Sequence, residues 1–263
     1  MLHEKHAVVF GGGGSIGAAV GKRLASEGAE VFLAGRTAHS VDTVAKEIEG
    51  TGGRAHADVV DALDAAAVDT YLESVVQLTG GLDIEFNATG PRVSEYANGK
   101  PATQLAVDEF IVPVNTVLKA QFITASAAAR QMLKQGSGVI IFLTGSPARP
   151  HTPGTSGIGA AFAAVENLTR HMAIELSPAG VRVVCLRTSA NPDSRTIQDV
   201  TDGIAKLMNI TRDQANARLA DTTLLKVSPR TSDTASAAVF LASNLASMMT
   251  GTVLNASAGV ATD

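Results

Sequence analysis

The sequence predicts a doubly wound α/β fold: a parallel sheet of about seven strands with helices on both faces, in a single domain over residues 1–263. Three observations predict it. Short apolar runs such as Ala7-Val8-Val9-Phe10 and Val139-Ile140-Ile141-Phe142-Leu143 lack the alternation of a half-exposed strand, so they read as strands buried on both faces. Helical patterns separate these runs, which implies parallel pairing through right-handed crossovers. A cluster of glycines stands between the first run and the first helix, at the edge where such sheets bind ligands.

The first helix shows Ile16, Val20 and Leu24 four residues apart and is closed by Gly28. Val31-Phe32-Leu33-Ala34 is the second strand, and a helix follows over about 40–50. A third strand ends at Ala57-Asp58, a helix covers about 61–78, and Leu82-Asp83-Ile84-Glu85-Phe86 is the fourth strand. Residues 91–106 are polar, contain Gly and Pro, and read as a loop. A long helix spans about 108–134, in which Pro113 requires either the first turn or a kink. The fifth strand, 139–143, leads to a helix over about 156–177 and a sixth strand, 181–186. Residues 190–228 interrupt the alternation with polar, short-helix character; they read as a lid over the binding edge or, equally, as an oligomer contact. A helix near 232–245 and a short strand at Val253-Leu254 close the chain.

Apolar residues are 45% of the chain, enough for a large core, and the net charge of −4 comes without a basic run, so nucleic acid is not an expected partner. No apolar stretch reaches the length of a membrane span, and the N-terminus lacks a signal-peptide pattern. The single Cys185 cannot form an internal disulfide, which points to a reducing, cytoplasmic setting. The six histidines show no metal-ligand spacing, so no metal is expected.

Gly11-Gly12-Gly13-Gly14-Ser15-Ile16-Gly17 lies between a buried strand and an amphipathic helix. Glycines there allow a sharp turn and close approach of backbone to a diphosphate, and the helix N-terminus offers amides and a positive dipole end. In that context the loop reads as a Rossmann-type dinucleotide site, with Gly11, Gly13, Gly14, Ser15, Ile16 and Gly17 as its backbone contacts. The second strand ends Ala34-Gly35-Arg36-Thr37 with no carboxylate to hold a ribose 2′-hydroxyl. Arg36 offers a guanidinium fork, and Thr37 a hydroxyl, to a 2′-phosphate, which favours NADP(H) over NAD(H). The alternative for Arg36 is a solvated loop charge.

Together with later segments, this loop resembles that of the short-chain dehydrogenase/reductase superfamily over nearly the whole chain. The glycine loop is similar to the family's TGxxxGxG motif, with Phe10 in place of threonine and Ser15 in place of the second glycine. Asp58-Val59 resembles the family's adenine-contacting pair, and Asn87-Ala88-Thr89-Gly90 its NNAG segment. Val165-Glu166-Asn167-Leu168-Thr169-Arg170 and Thr250-Gly251-Thr252-Val253-Leu254-Asn255 match its usual text. The resemblance implies cofactor contacts at Asp58, Val59, Asn87, Ala88, Gly90 and Thr188, and a homotetramer or homodimer formed through the long helices after the fourth and fifth strands. By position, Arg187 and Asn191 either face the nicotinamide carboxamide or, equally, simply pack the loop.

The family's chemistry rests on an Asn-Ser-Tyr-Lys tetrad. Alignment through the flanking text places Val117, Gly145, Ile158 and Phe162 at those four positions, with Asn115 two residues from the first. A bulge in the helix would bring Asn115 into register. The Pro-Gly expected after the sixth strand is replaced by Thr188-Ser189. Ile158 and Phe162, four apart on a helix, imply an apolar face toward the nicotinamide.

A ketone reduced by hydride needs a proton for the developing alkoxide, whereas an iminium ion does not. Ser146, beside the lost serine, and His151, whose pKa is intrinsically near neutral, are the candidate catalytic residues. Arg149, Arg187 and Asp193 lie close in sequence to the same edge. Two functions fit: an atypical NADP(H)-dependent reductase of a small, largely apolar substrate (a conjugated carbonyl or an iminium), or a catalytically silent NADP(H)-binding sensor or inactive subunit of a hetero-oligomer.

Overall fold

The computed structural model describes residues 1–149 and 152–262. Seven strands form one sheet: β1 His6–Phe10, β2 Glu30–Gly35, β3 Arg54–Val59, β4 Ile84–Asn87, β5 Gly138–Gly145, β6 Val181–Thr188 and β7 Val253–Asn255. Their order is β3-β2-β1-β4-β5-β6-β7, and every pairing is parallel. The order reverses between β1 and β4, so the connections leaving their carboxyl ends run to opposite faces of the sheet and leave a crevice between them.

The apolar runs fill both faces of this sheet. Helices α1 Ser15–Ser26, α2 Ala38–Gly50 and α9 Thr231–Ala242 pack on the face carrying Val9, Leu33, Phe86, Ile141 and Leu186. The other face, with Val8, Phe10, Phe32, Ile140 and Cys185, is covered by α3 Ala65–Thr79, α5 Lys119–Gln135 and α6 Ser156–Leu176. Helix α3 begins at Ala65 rather than about 61, because the Asp64 carboxylate accepts the amides of Ala66 and Ala67 and fixes the start there.

The long helix is interrupted as Pro113 requires. Helix α4, Val107–Pro113, ends at the proline, a π-helical turn covers Val114–Leu118, and α5 continues from Lys119. Residues 107–135 are long and apolar enough by composition to cross a membrane, which qualifies the reading of the bare sequence. In the fold, however, their inward face carries the core residues Val117, Ala120, Ala128 and Met132. Gln121 on this helix donates from Nε2 to the Leu143 carbonyl at 2.9 Å and accepts the Leu143 amide at 3.2 Å. Strand β4 ends at Asn87, opposite Phe142, so Gln121 serves the β5 backbone where its neighbouring strand stops.

The 190–228 segment contains α7, Arg195–Met208, and α8, Arg212–Asp221. A bidentate pair between Arg212 and Asp202, both contacts at 2.6 Å, joins the two helices. Leu207, Leu224, Leu225 and Val227 remain exposed on this segment.

Candidate functional site

The glycine loop begins where β1 ends. Gly11 adopts φ +76°, and a Cβ there would lie 2.8 Å from the Ala88 carbonyl oxygen at the end of β4. A Cβ on Gly17 would lie 2.2 Å from the Gly11 carbonyl oxygen, so α1 can approach the loop only without a side chain at that position. A Cβ on Gly13 would meet Ser40 of α2 at 2.6 Å. Gly14 is the N-cap and supplies no side chain to the first amides of α1, which leaves that turn to an external acceptor. The residues present therefore fit a dinucleotide diphosphate: a bare backbone cradle facing a helix N-terminus.

Ser15 has a second role that the sequence did not signal. Its Oγ accepts the Arg195 amide at 3.1 Å, across 180 residues, bringing the first turn of α7 to the first turn of α1. The Ser194 hydroxyl caps α7 by accepting the Ile197 amide at 3.4 Å. Two helix N-termini thus meet at the crevice.

At the β2 end, Gly35 and Arg36 follow Ala34, and both Arg36 and Thr37 are exposed. Asp58 and Val59 end β3; Val59 is exposed, and burial holds the Asp58 carboxyl above the usual carboxylate range, with His56 opposing the shift. Asp58 also borders a cavity of about 320 Å³ between β3 and α3, together with Phe32, His56 and Tyr71. The Tyr71 hydroxyl is buried there without a hydrogen-bond partner.

Several candidate side chains turn inward. Asn87 is fully buried: its Oδ1 accepts the Thr89 amide at 2.8 Å, and its Nδ2 donates to Thr124 Oγ1 on α5 at 2.6 Å. Thr188 Oγ1 lies 2.8 Å from Thr234 Oγ1, and Asn191 Nδ2 donates to the Pro229 carbonyl at 3.0 Å. These two side chains anchor the root of the 190–228 segment to the start of α9. Asp193 does the same, accepting the Thr231 amide and, at 2.7 Å, its hydroxyl. The side chains of Asn87, Thr188 and Asn191 are thus engaged within the protein itself.

The four tetrad positions come together at the β5 end. Gly145 ends β5, and a Cβ on it would lie 3.0 Å from Phe162 Cε2, so the aromatic ring occupies the space a serine side chain would need. Ile158 is buried one turn earlier on α6. Val117 is buried and its Cγ2 would be 4.0 Å from a Cβ on Gly90. The π turn is the bulge required to move Asn115, but it leaves Asn115 exposed and keeps Val117 inside. The floor is apolar at all four positions.

Ser146 is buried in the turn after β5, where its Oγ accepts from Ser189 Oγ at 3.3 Å. His151 lies outside the described residues. Arg187 does not face the crevice: it is fully buried and paired with Glu166 beneath the floor. Tyr96, on the loop after β4, packs against the core cluster that contains Ile158, a placement its loop context in the sequence did not reveal.

A glycine-loop cradle at a β1/β4 crevice, in a parallel seven-stranded sheet, defines a Rossmann-type dinucleotide-binding fold. Residues 5–194 match the short chain dehydrogenase family, and the chain belongs to it. It is 31% identical over 259 residues to the 4-formylbenzenesulfonate dehydrogenase of Comamonas testosteroni, covering 98% of both chains. An uncharacterized oxidoreductase of Mycobacterium tuberculosis is 29% identical over 259 residues, 98% of this chain and 93% of that one. Among solved structures, NAD+-bound xylitol dehydrogenase superposes with a TM-score of 0.90 at 22% identity, covering 98% of this chain and 99% of that one. An NADPH-bound variant of actinorhodin polyketide ketoreductase superposes with a TM-score of 0.89 at 20% identity, over 99% of each chain. The protein is an oxidoreductase of the short-chain dehydrogenase type.

Proposed function

We propose that the protein is an NADP(H)-dependent reductase of a small, largely apolar substrate, a conjugated carbonyl or an iminium, that works without the tyrosine–lysine acid. The apolar floor of Val117, Gly145, Ile158 and Phe162 beside an intact diphosphate cradle carries this reading. A bound nicotinamide supplies the hydride. The chain's part is to hold the reacting faces together, shield them from water under the 190–228 segment and offer the Ser146 hydroxyl to a polar substrate atom. An iminium substrate needs no further proton; a carbonyl would take one from Ser146 or His151.

Arg36 supports the choice of NADP(H), since it is exposed at the end of β2 beside Gly35. We expect Arg36→Ala to weaken NADPH binding about tenfold or more while leaving NADH affinity within about twofold, as loss of a fork-to-phosphate contact implies. Calorimetry with both cofactors checks this; an equal effect on both would remove the 2′-phosphate role. Exposed Phe122 and Leu133 on α5 are consistent with a homodimer or homotetramer through that helix.

The same apolar floor also suits a protein that binds NADP(H) without turnover. Following loss of NADPH absorbance against ketones, enones and cyclic imines separates the two. Turnover of an enone or imine, with simple ketones inert, is the expected result. Tight NADPH binding with no turnover across the panel would establish the silent binder.

A further inference from the structure

Directly beneath the apolar floor lies an ion pair that the proposed chemistry does not use. Arg187 Nε donates to Glu166 Oε1 at 2.6 Å and Nη2 to Oε2 at 2.8 Å, with the guanidinium fully buried and the carboxylate nearly so. Glu166 Oε1 also accepts from Thr144 Oγ1 at 3.3 Å, and Thr144 Oγ1 lies 3.4 Å from Cys185 Sγ.

Stability alone does not explain such a pair. Each buried ion carries a large desolvation penalty, and an apolar pair of similar volume commonly gives equal or greater stability. A two-point fork provides direction instead: it fixes the distance and the angle between the two elements that carry it.

Those elements are the ones that meet at the nicotinamide end. Arg187 is the penultimate residue of β6, in register with Thr144, and the next pair in the ladder is Gly145 with Thr188. Glu166 stands one turn after Phe162 on α6, the residue whose ring rests on Gly145. The fork therefore ties the Phe162 turn of α6 to the ends of β5 and β6. The adenine-side elements, β1, β2 and β3, carry neither residue.

We infer that Glu166 and Arg187 are positioning residues for the nicotinamide half of the cofactor site, setting Phe162 and the Thr188–Ser189 turn at the separation that half requires. The inference rests on the cofactor reading above, and its test keeps the two apart by using 2′,5′-ADP, which carries only the adenine half. Calorimetry compares 2′,5′-ADP and NADPH on the wild type and on the double variant Glu166→Leu/Arg187→Met, which removes both charges together and avoids an unpaired buried ion. Glu166→Gln is the second variant should the double variant fail to fold.

We expect 2′,5′-ADP affinity to stay within about twofold, while the advantage of NADPH over 2′,5′-ADP falls at least about tenfold. An NADPH affinity unchanged in the variant would overturn the inference. So would an equal weakening of both ligands, which marks a merely structural pair, or a wild type that binds NADPH no tighter than 2′,5′-ADP. A wild type that binds neither overturns the cofactor reading itself.

Discussion

At the scale of single residues, the glycine loop was legible because a missing side chain has a local cause. Gly11 and Gly17 are needed by a turn and a close approach that any strand–loop–helix of this spacing requires. Glu85 was not legible. The sequence showed a strand over 82–86, but nothing in it marks Glu85 as a carboxyl held away from water. The structure buries it completely in β4, with neither carboxylate oxygen hydrogen-bonded. Burial pushes its pKa up to about 8, an effect the nearby Thr124 hydroxyl only partly opposes. The carboxyl is therefore neutral in the folded protein at pH 6 and ionised in the unfolded chain above its ordinary pKa of 4.5. The unfolded state gains by ionising as pH rises, so this site's contribution to stability is whole below about 4.5 and is lost progressively up to about 8. Each pH unit within that window costs up to about 1.4 kcal/mol. Glu85→Leu should flatten the fall in denaturant midpoint between pH 5 and 8 and raise stability at pH 8 above that of the wild type. Parallel pH profiles for the two proteins would show that the carboxyl ionises equally in both states.

At the scale of elements, order and type were readable throughout, because buried parallel strands and amphipathic helices leave different periods in the sequence. The start of α3 moved for a local reason that hydrophobic periodicity does not carry: the Asp64 side chain caps the helix four residues later than the pattern suggested. The apolar identity of the floor was likewise readable, but the fate of Asn115 was not: a π turn forms, yet the register it sets keeps Val117 inward. Nor did the sequence show that Thr188, Asn191 and Asp193 are spent on anchoring. Their partners, Pro229, Thr231 and Thr234, lie about forty residues away and meet them only after the chain has crossed the 190–228 segment. Asn191 is 1% exposed, so its removal leaves the Pro229 carbonyl short of a donor inside the fold. Asn191→Ala should cost about 1–3 kcal/mol locally and free the segment's root without melting the sheet. Limited proteolysis is expected to cut this variant within 190–228 faster than the wild type, with far-UV circular dichroism unchanged. Equal cleavage rates would show that Asp193 and Thr188 hold the segment without it.

At the scale of the whole molecule, the crevice draws on both ends of the chain. Ser15 near the N-terminus holds Arg195, and the 190–228 segment is tied onward to the C-terminal region through the Leu225 amide and the Ala258 carbonyl, 3.2 Å apart. Binding at the glycine loop therefore reports on elements that are far apart in sequence. A ligand that binds only the folded chain stabilises it by about 2.7 kcal/mol at one hundred times its dissociation constant. For a domain of this size that corresponds to a rise of several degrees in Tm, roughly 2–4 °C per kcal/mol. On the proposed role of Arg36, NADPH should raise Tm more than NADH at equal concentration, because only NADPH carries a 2′-phosphate. The Arg36→Ala variant should bring the two cofactors level, by lowering the NADPH shift and leaving the NADH shift in place. The contrast should also narrow in high salt, since Arg36 is exposed and its attraction to a phosphate is screened there. A larger shift with NADH in the wild type would reverse the cofactor assignment while leaving the diphosphate cradle intact, because Gly11, Gly14 and Gly17 make no distinction between the two dinucleotides.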